Sequence, residues 1–173
     1  MHSDLEGISR ITRLAADFDW TWTLQDLEPF CSRTGWQINL EDRYSDLTTN
    51  FAVDRQDARI YRSEGKIKHI SCFVTDVASS ETEEVADEVA QWFTRISEVI
   101  TTTLGVSASE DVTDEMELHW LTPKVVFDLA ASGYAVYLDL YSPDYWRFVD
   151  EVKQLEAEAY EEYDEDDEDQ DED

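Results

Sequence analysis

The sequence predicts an α+β domain: a mostly antiparallel sheet with helices packed on one side, plus a disordered acidic C-terminal tail. Three observations carry this class. Apolar spacing is helical early and alternates from Trp36 to Val53, "VADEVAQWFTRISEVITTTL" repeats its apolar residues at one long helix period, and "VVFDLAASGYAVYLDL" folds back on itself as a hairpin. The chain of 173 residues is 42% hydrophobic with six Trp, enough for one real core and too short for two ordinary ones. We therefore expect a single domain over 1–155, then a frayed helix end and disordered acidic tail over 156–173.

The first element is a short helix in "SDLEGISRITRLAADFDW", with Leu5, Ile8, Ile11 or Thr12, and Ala15 near helical spacing and Gly7 weakening it. In "TLQDLEPFCSRTG", Thr23 and Asp26 have capping-box spacing and Gly35 marks a stop. Pro29 favours a helix starting near Asp26, a kinked helix from Thr23 being the alternative.

Alternation then takes over. Trp36, Ile38 and Leu40 form one half-buried strand and Leu47, Thr49, Phe51 and Val53 a second. A third strand near Ala58 to Arg62 turns at "SEG" into the run Lys66 to Val77. That run is apolar on both faces from Ile70 onward, as a central strand requires. The long helix follows, with Ser80 and Glu83 as its capping box and Gly105 as its end. "GVSASEDVTDEM" reads as an acidic loop and Glu117 to Leu121 as a short strand.

The hairpin pairs best with Ser132 and Gly133 as loop residues, setting Leu129 against Val136 and Phe127 against Leu138. One face is then uniformly apolar, and the other carries Val126, Asp128, Ala130, Ala135, Tyr137, Asp139 and Tyr141. In "SPDYWRFVDEVKQLEAEAY", Ser142 is a helix N-cap and Pro143 the first helical residue.

Net charge is −29. Removing the thirteen acids of 156–173 leaves 29 acidic against 13 basic residues, so the body keeps about −16. Such a field repels nucleic acid and anionic membrane and speeds encounter with a basic partner, although colloidal solubility also accounts for it. Cys31 and Cys72 are far apart and read as buried free thiols in a reducing cytosol. No leader pattern or apolar span is visible, so a cytoplasmic location is expected.

Catalytic chemistry finds few supports. His2, His69 and His119 lie far apart, which gives no zinc spacing, and phosphate-cradling or nucleophile-elbow motifs are absent from the sequence. We expect no cofactor, no metal and no enzyme activity. Asp128 and Asp139, placed diagonally on the hairpin's second face, form a carboxylate pair of the kind acid–base catalysis uses, but a face that also holds Tyr137 and Tyr141 suits protein contact better. The candidate contact residues are therefore Asp128, Tyr137, Asp139 and Tyr141, with Glu110, Asp111, Asp114, Glu115 and Glu117 of the acidic loop. A basic island, Arg55, Arg59, Arg62, Lys66 and Lys68, stands against the trend. The acidic tail either folds back on it or adds long-range attraction to a partner.

"WTLQDLEPFCSRTGW", "VADEVAQWFTRI" and "YSPDYWRFV" resemble segments of small acidic actinobacterial proteins of unknown or toxin-immunity function. The resemblance implies a non-enzymatic protein that blocks the active-site cleft of a basic, secreted toxin domain, a nuclease or a NAD-hydrolysing one, as a monomer or 1:1 heterodimer. A secretion or assembly chaperone for an exported partner is the alternative.

Overall fold

A computed structural model describes residues 1–39, 46–110 and 116–167, with backbone only for Glu110 and 156–167. Helix α1, Leu5–Asp17, is capped by Asp4, whose carboxylate accepts from the Gly7 amide at 2.8 Å. Gly7 is buried, and a Cβ there would collide with that carboxylate and reach 3.0 Å from the Phe51 ring. A 3-10 turn at Leu24–Asp26 leads into α2, Leu27–Thr34, which Gly35 ends at φ 77°. The expected capping box does not form. Asp26 turns back instead and accepts from the amides of Thr21 (3.0 Å) and Trp22 (2.7 Å) and from the Thr21 hydroxyl (2.7 Å). Those three bonds hold Trp22 at φ 56°, a costly angle for a bulky side chain.

Among the described residues, eight strands form a single antiparallel sheet: β1 Gln37–Ile38, β2 Leu47–Thr48, β3 Asp57–Ser63, β4 Lys66–Phe73, β5 Ser109–Glu110, β6 Glu117–Leu121, β7 Val126–Ala131 and β8 Val136–Tyr141. Their spatial order is β1-β2-β3-β4-β8-β7-β6-β5. The second strand is much shorter than its alternation suggested. Beyond Thr49 the chain turns, with Gln56 donating to the Phe51 carbonyl at 2.6 Å and Asp54 accepting from the Val77 amide at 2.9 Å. Strand β4 is central, as expected, but it does not alternate throughout. Tyr61 faces His69 while Arg62 faces Ile67, so Lys68 is an extra residue and Ile67 and Ile70 both enter the core.

Helix α3, Glu83–Leu104, starts two residues later than its Ser80 signal. Thr82 is the cap, accepting from the Val85 amide at 3.2 Å, and Gly105 ends the helix at φ 69° as expected. Buried Val89, Phe93, Ile96 and Ile100 of α3 join Ile8 and Ile11 of α1, Leu27 and Phe30 of α2, and the inner sheet residues Ile70, Phe127, Leu129, Leu138 and Leu140. Trp120, fully buried, donates from Nε1 to Thr101 Oγ1 at 3.0 Å and ties β6 to α3. Burying each such large side chain stabilises the fold by roughly 1.5–3 kcal/mol.

The hairpin register is shifted from the expected one. Phe127 faces Leu140, Leu129 faces Leu138 and Ala131 faces Val136, and the Ser132 amide donates to the Ala135 carbonyl at 2.9 Å. Gly133 and Tyr134 are therefore the loop residues. The shift is by two, so each side chain stays on its expected face. Helix α4, Pro143–Asp167, leaves β8 through Ser142, whose carbonyl accepts from the Trp146 amide at 2.8 Å. Residues 168–173 lie outside the described ones. While α1, α2 and α3 make the expected helical layer, the first turns of α4 meet the other face. Among the described residues no helix is long and apolar enough to cross a membrane. Cys31 and Cys72 are free and buried, and burial pushes the Cys31 thiol up to about 11.

Candidate functional site

Apart from the Lys68 bulge, the outer sheet face takes every second residue of β3, β4, β8, β7 and β6. Direct pairing aligns Arg59 with Ser71, Ser71 with Asp139, Asp139 with Asp128, and Asp128 with His119. A polar row thus crosses five strands. Asp128 and Asp139 are opposite each other rather than diagonal, a consequence of the two-residue register shift. Like charges so placed repel.

Burial raises the Asp139 carboxyl to about 6. The Ser71 hydroxyl bond opposes that shift and the Glu117 charge adds to it. Its Oδ1 is sealed from solvent and accepts no hydrogen bond among the described residues. Tyr141 is pushed upward as well, first by burial and then by the charges of Asp139 and Asp128.

A second row is aromatic. Tyr61 stacks on His69 (4.1 Å, 12°), His69 on Tyr141 (4.5 Å, 22°), Tyr141 on Tyr145 (6.1 Å, 16°) and Tyr145 on Phe148 (6.1 Å, 26°). The Lys68 bulge makes this possible by turning both Lys68 and His69 outward, and the Lys68 ammonium lies 4.9 Å over the Tyr145 ring. Burial, helped by the Lys68 charge, lowers His69 to about 4. With both ring faces covered and little basicity left, His69 serves better as a stacking element than as a proton carrier.

Helix α4 closes half of this face. Trp146, 5% exposed, sits 5.0 Å from the His119 ring and 5.0 Å from Tyr141, and Lys153 reaches Glu117 at 2.6 Å. The helix axis thus runs from above β4 toward β6, away from the basic island. The uncovered half is a groove of about 350 Å³ lined by Asp57, Arg59, Tyr61, Ser71, Cys72, Phe73, Tyr137 and Asp139. A larger cleft of about 540 Å³ lies beside Trp20, Trp22 and Pro143, where Lys124 is already paired with Asp19 and Arg147 with Asp144. Its charges are satisfied, so the groove is the stronger candidate.

Of the expected contact residues, Tyr137 and Asp139 line the groove. Asp128 does not lie on an open face: it is 6% exposed, because α4 folds over it. Tyr141 is half-buried in the ring stack, and Glu117 is tied to Lys153. Glu110 is in β5 opposite Leu118, with its side chain outside the described residues, as are Asp111, Asp114 and Glu115 entirely. The sequence reading missed Asp57, Tyr61, Ser71 and Phe73 as groove residues. Their alternation in β3 and β4 was visible, but only the β4–β8 pairing brings them beside Tyr137 and Asp139. Within the basic island, Arg55 pairs with Asp57, while Arg59, Arg62 and Lys66 make no ion pair among the described residues.

Fold and site together define an antiparallel-sheet α+β domain with a carboxylate and aromatic groove on its outer face. Residues 6–142 match a family described as "Family of unknown function (DUF6301)", and the chain belongs to that family. No curated protein and no solved structure matches it. The matched stretch stops at Ser142, so the helix that covers Asp128 lies beyond it.

Proposed function

We propose that this is a non-enzymatic immunity-type protein of the cytoplasm that binds a basic toxin domain, a nuclease or NAD-hydrolysing enzyme, and blocks its active-site cleft. The observation that carries the reading is the groove itself: Tyr61, Phe73 and Tyr137 offer contact area beside the carboxylates Asp57 and Asp139, on a chain of net charge −29. Enzymes that act on anionic substrates need a positive cleft, and an acidic surface complements it while steering the encounter. The resemblance to small acidic actinobacterial proteins of unknown or toxin-immunity function supports the same reading.

Capture from a producing-cell lysate with the full chain as bait is the test. The expected result is one basic enzyme, inhibited at equimolar chain and released by salt; recovery of nothing at low salt defeats the reading. One observation favours the chaperone alternative. Phe148 and Leu155, two turns apart on α4, are 57% and 65% exposed, as an apolar docking stripe would be. That reading expects a homodimer, so a strictly monomeric protein in sedimentation removes it.

A further inference from the structure

We propose that the groove seats one arginine side chain of the partner, its guanidinium paired with Asp139 and laid against the Tyr137 ring. This rests on the reading of the protein as a binder of a basic domain, and it names what that domain must present.

The rim of the groove already holds one guanidinium in this manner. Arg55 donates from Nε to Asp57 Oδ1 at 2.8 Å and from Nη2 to Oδ2 at 2.7 Å, with its carbon 4.8 Å over the Phe73 ring. Phe73 stands directly opposite Tyr137, and the two rings meet edge to face at 5.9 Å. Tyr137 and Asp139 are two residues apart on β8 and so share its outer face. A ring and a carboxylate are thus set side by side a second time, and no cation of the chain fills this pair among the described residues.

Charge favours a cationic occupant. Asp128 stands opposite Asp139 on the next strand, and the Glu117 charge reaches Asp139 even with Lys153 bound to it. Arg59, the one cation among the described lining residues, lies two strands away with Ser71 between, about 10 Å by strand spacing. It is exposed and makes no ion pair with Asp139 among the described residues. A guanidinium suits this place better than an ammonium, because it is flat, less strongly hydrated, and able to stack on a ring while donating to the carboxylate oxygen other than the sealed Oδ1.

The test is a titration of the full chain with the capped peptide acetyl-Gly-Arg-Gly-amide, and with its citrulline counterpart of the same shape and no charge, followed by the aromatic NMR signals of Tyr137 and Phe73. The arginine peptide is expected to shift both signals and the citrulline peptide neither. Asp139→Asn, which keeps the shape and removes the charge, should weaken the response about tenfold or more, and Tyr137→Leu should weaken it while leaving Asp139 in place. Equal response to citrulline, or an arginine response unchanged in Asp139→Asn, overturns the seat. The two readings fail separately. A basic protein held equally well by wild type and Asp139→Asn keeps the partner and removes the seat, whereas a saturable arginine response with no protein captured keeps the seat and removes the partner.

Discussion

Asp128 and Asp139 face each other across neighbouring strands, one sealed beneath Trp146 and its helix, the other half-buried in the lining of the open groove. Burial is the main reason that Asp139 holds its proton to about pH 6, and the Glu117 charge adds to it.

The first prediction follows from that proton. Folded Asp139 stays protonated to about pH 6 against an ordinary 3.8, so the folded state binds more protons in between and stability falls as pH rises through that window. His69 acts in the opposite sense: folded, it stays neutral down to about 4 against 6.5, so stability falls as pH drops from 6.5 toward 4. Urea unfolding from pH 4.5 to 7.5 should show Asp139→Asn gaining on wild type as pH rises, by on the order of 2 kcal/mol. His69→Phe should remove the opposing His69 contribution and steepen the fall with rising pH, the His69 term being smaller because solvent screens it. Parallel profiles for wild type and Asp139→Asn defeat this account.

Trp146 pins α4 to the outer face. Trp146→Ala should cost roughly 3 kcal/mol and raise hydrogen exchange in the first turns of α4. Amides of α3 should keep their protection except as global stability falls, since Val89, Ile96 and Ile100 lie in the other layer. Uniform loss in both helices would mean that α4 is not a separable element.

Asp26 should matter more than its place in a loop suggests. It is 5% exposed and takes three hydrogen bonds from Thr21 and Trp22. Asp26→Ala leaves two amides without their acceptor and lets Trp22 out of its positive φ, at a cost of about 2–4 kcal/mol. The melting temperature and the Trp fluorescence of the Trp20–Trp22 stack report it, those rings being 4.4 Å apart.

The start of α3 separates two threonine and serine signals. Thr82→Ala should lower stability by about 1 kcal/mol, the usual worth of a helix cap, whereas Ser80→Ala should stay within about 0.5 kcal/mol, as surface changes do. Equal effects in chemical denaturation would put the cap elsewhere.

Several features were legible because they are local. The apolar stripe of α3 and the glycines at its end and at the end of α2 need nothing beyond their own helices, and each stands where the periodicity put it. The faces of the hairpin were equally legible, since alternation survives a register shift of two. Its register was not, because Ser132 and Gly133 make as good a turn as Gly133 and Tyr134, and only the ladder chooses. Competing local bonds defeated two capping boxes: Asp26 was taken by the Trp22 turn, and Thr82 reached the Val85 amide where Ser80 was expected to cap.

What the sequence determined by itself is therefore the α+β class, the division of the hairpin strands into an apolar and a polar face, and the acidic character of the body. Composition and short-range spacing are enough for those. The groove, the polar row from Arg59 to His119 and the burial of Asp128 were decided only by tertiary structure. They depend on β4 pairing with β8 across some 65 residues of chain, on one bulged residue that turns Lys68 and His69 outward together, and on α4 folding over a face that alternation alone left open. Pairing partners and covering helices are chosen by the total burial of the whole chain, a quantity that no local window of sequence contains.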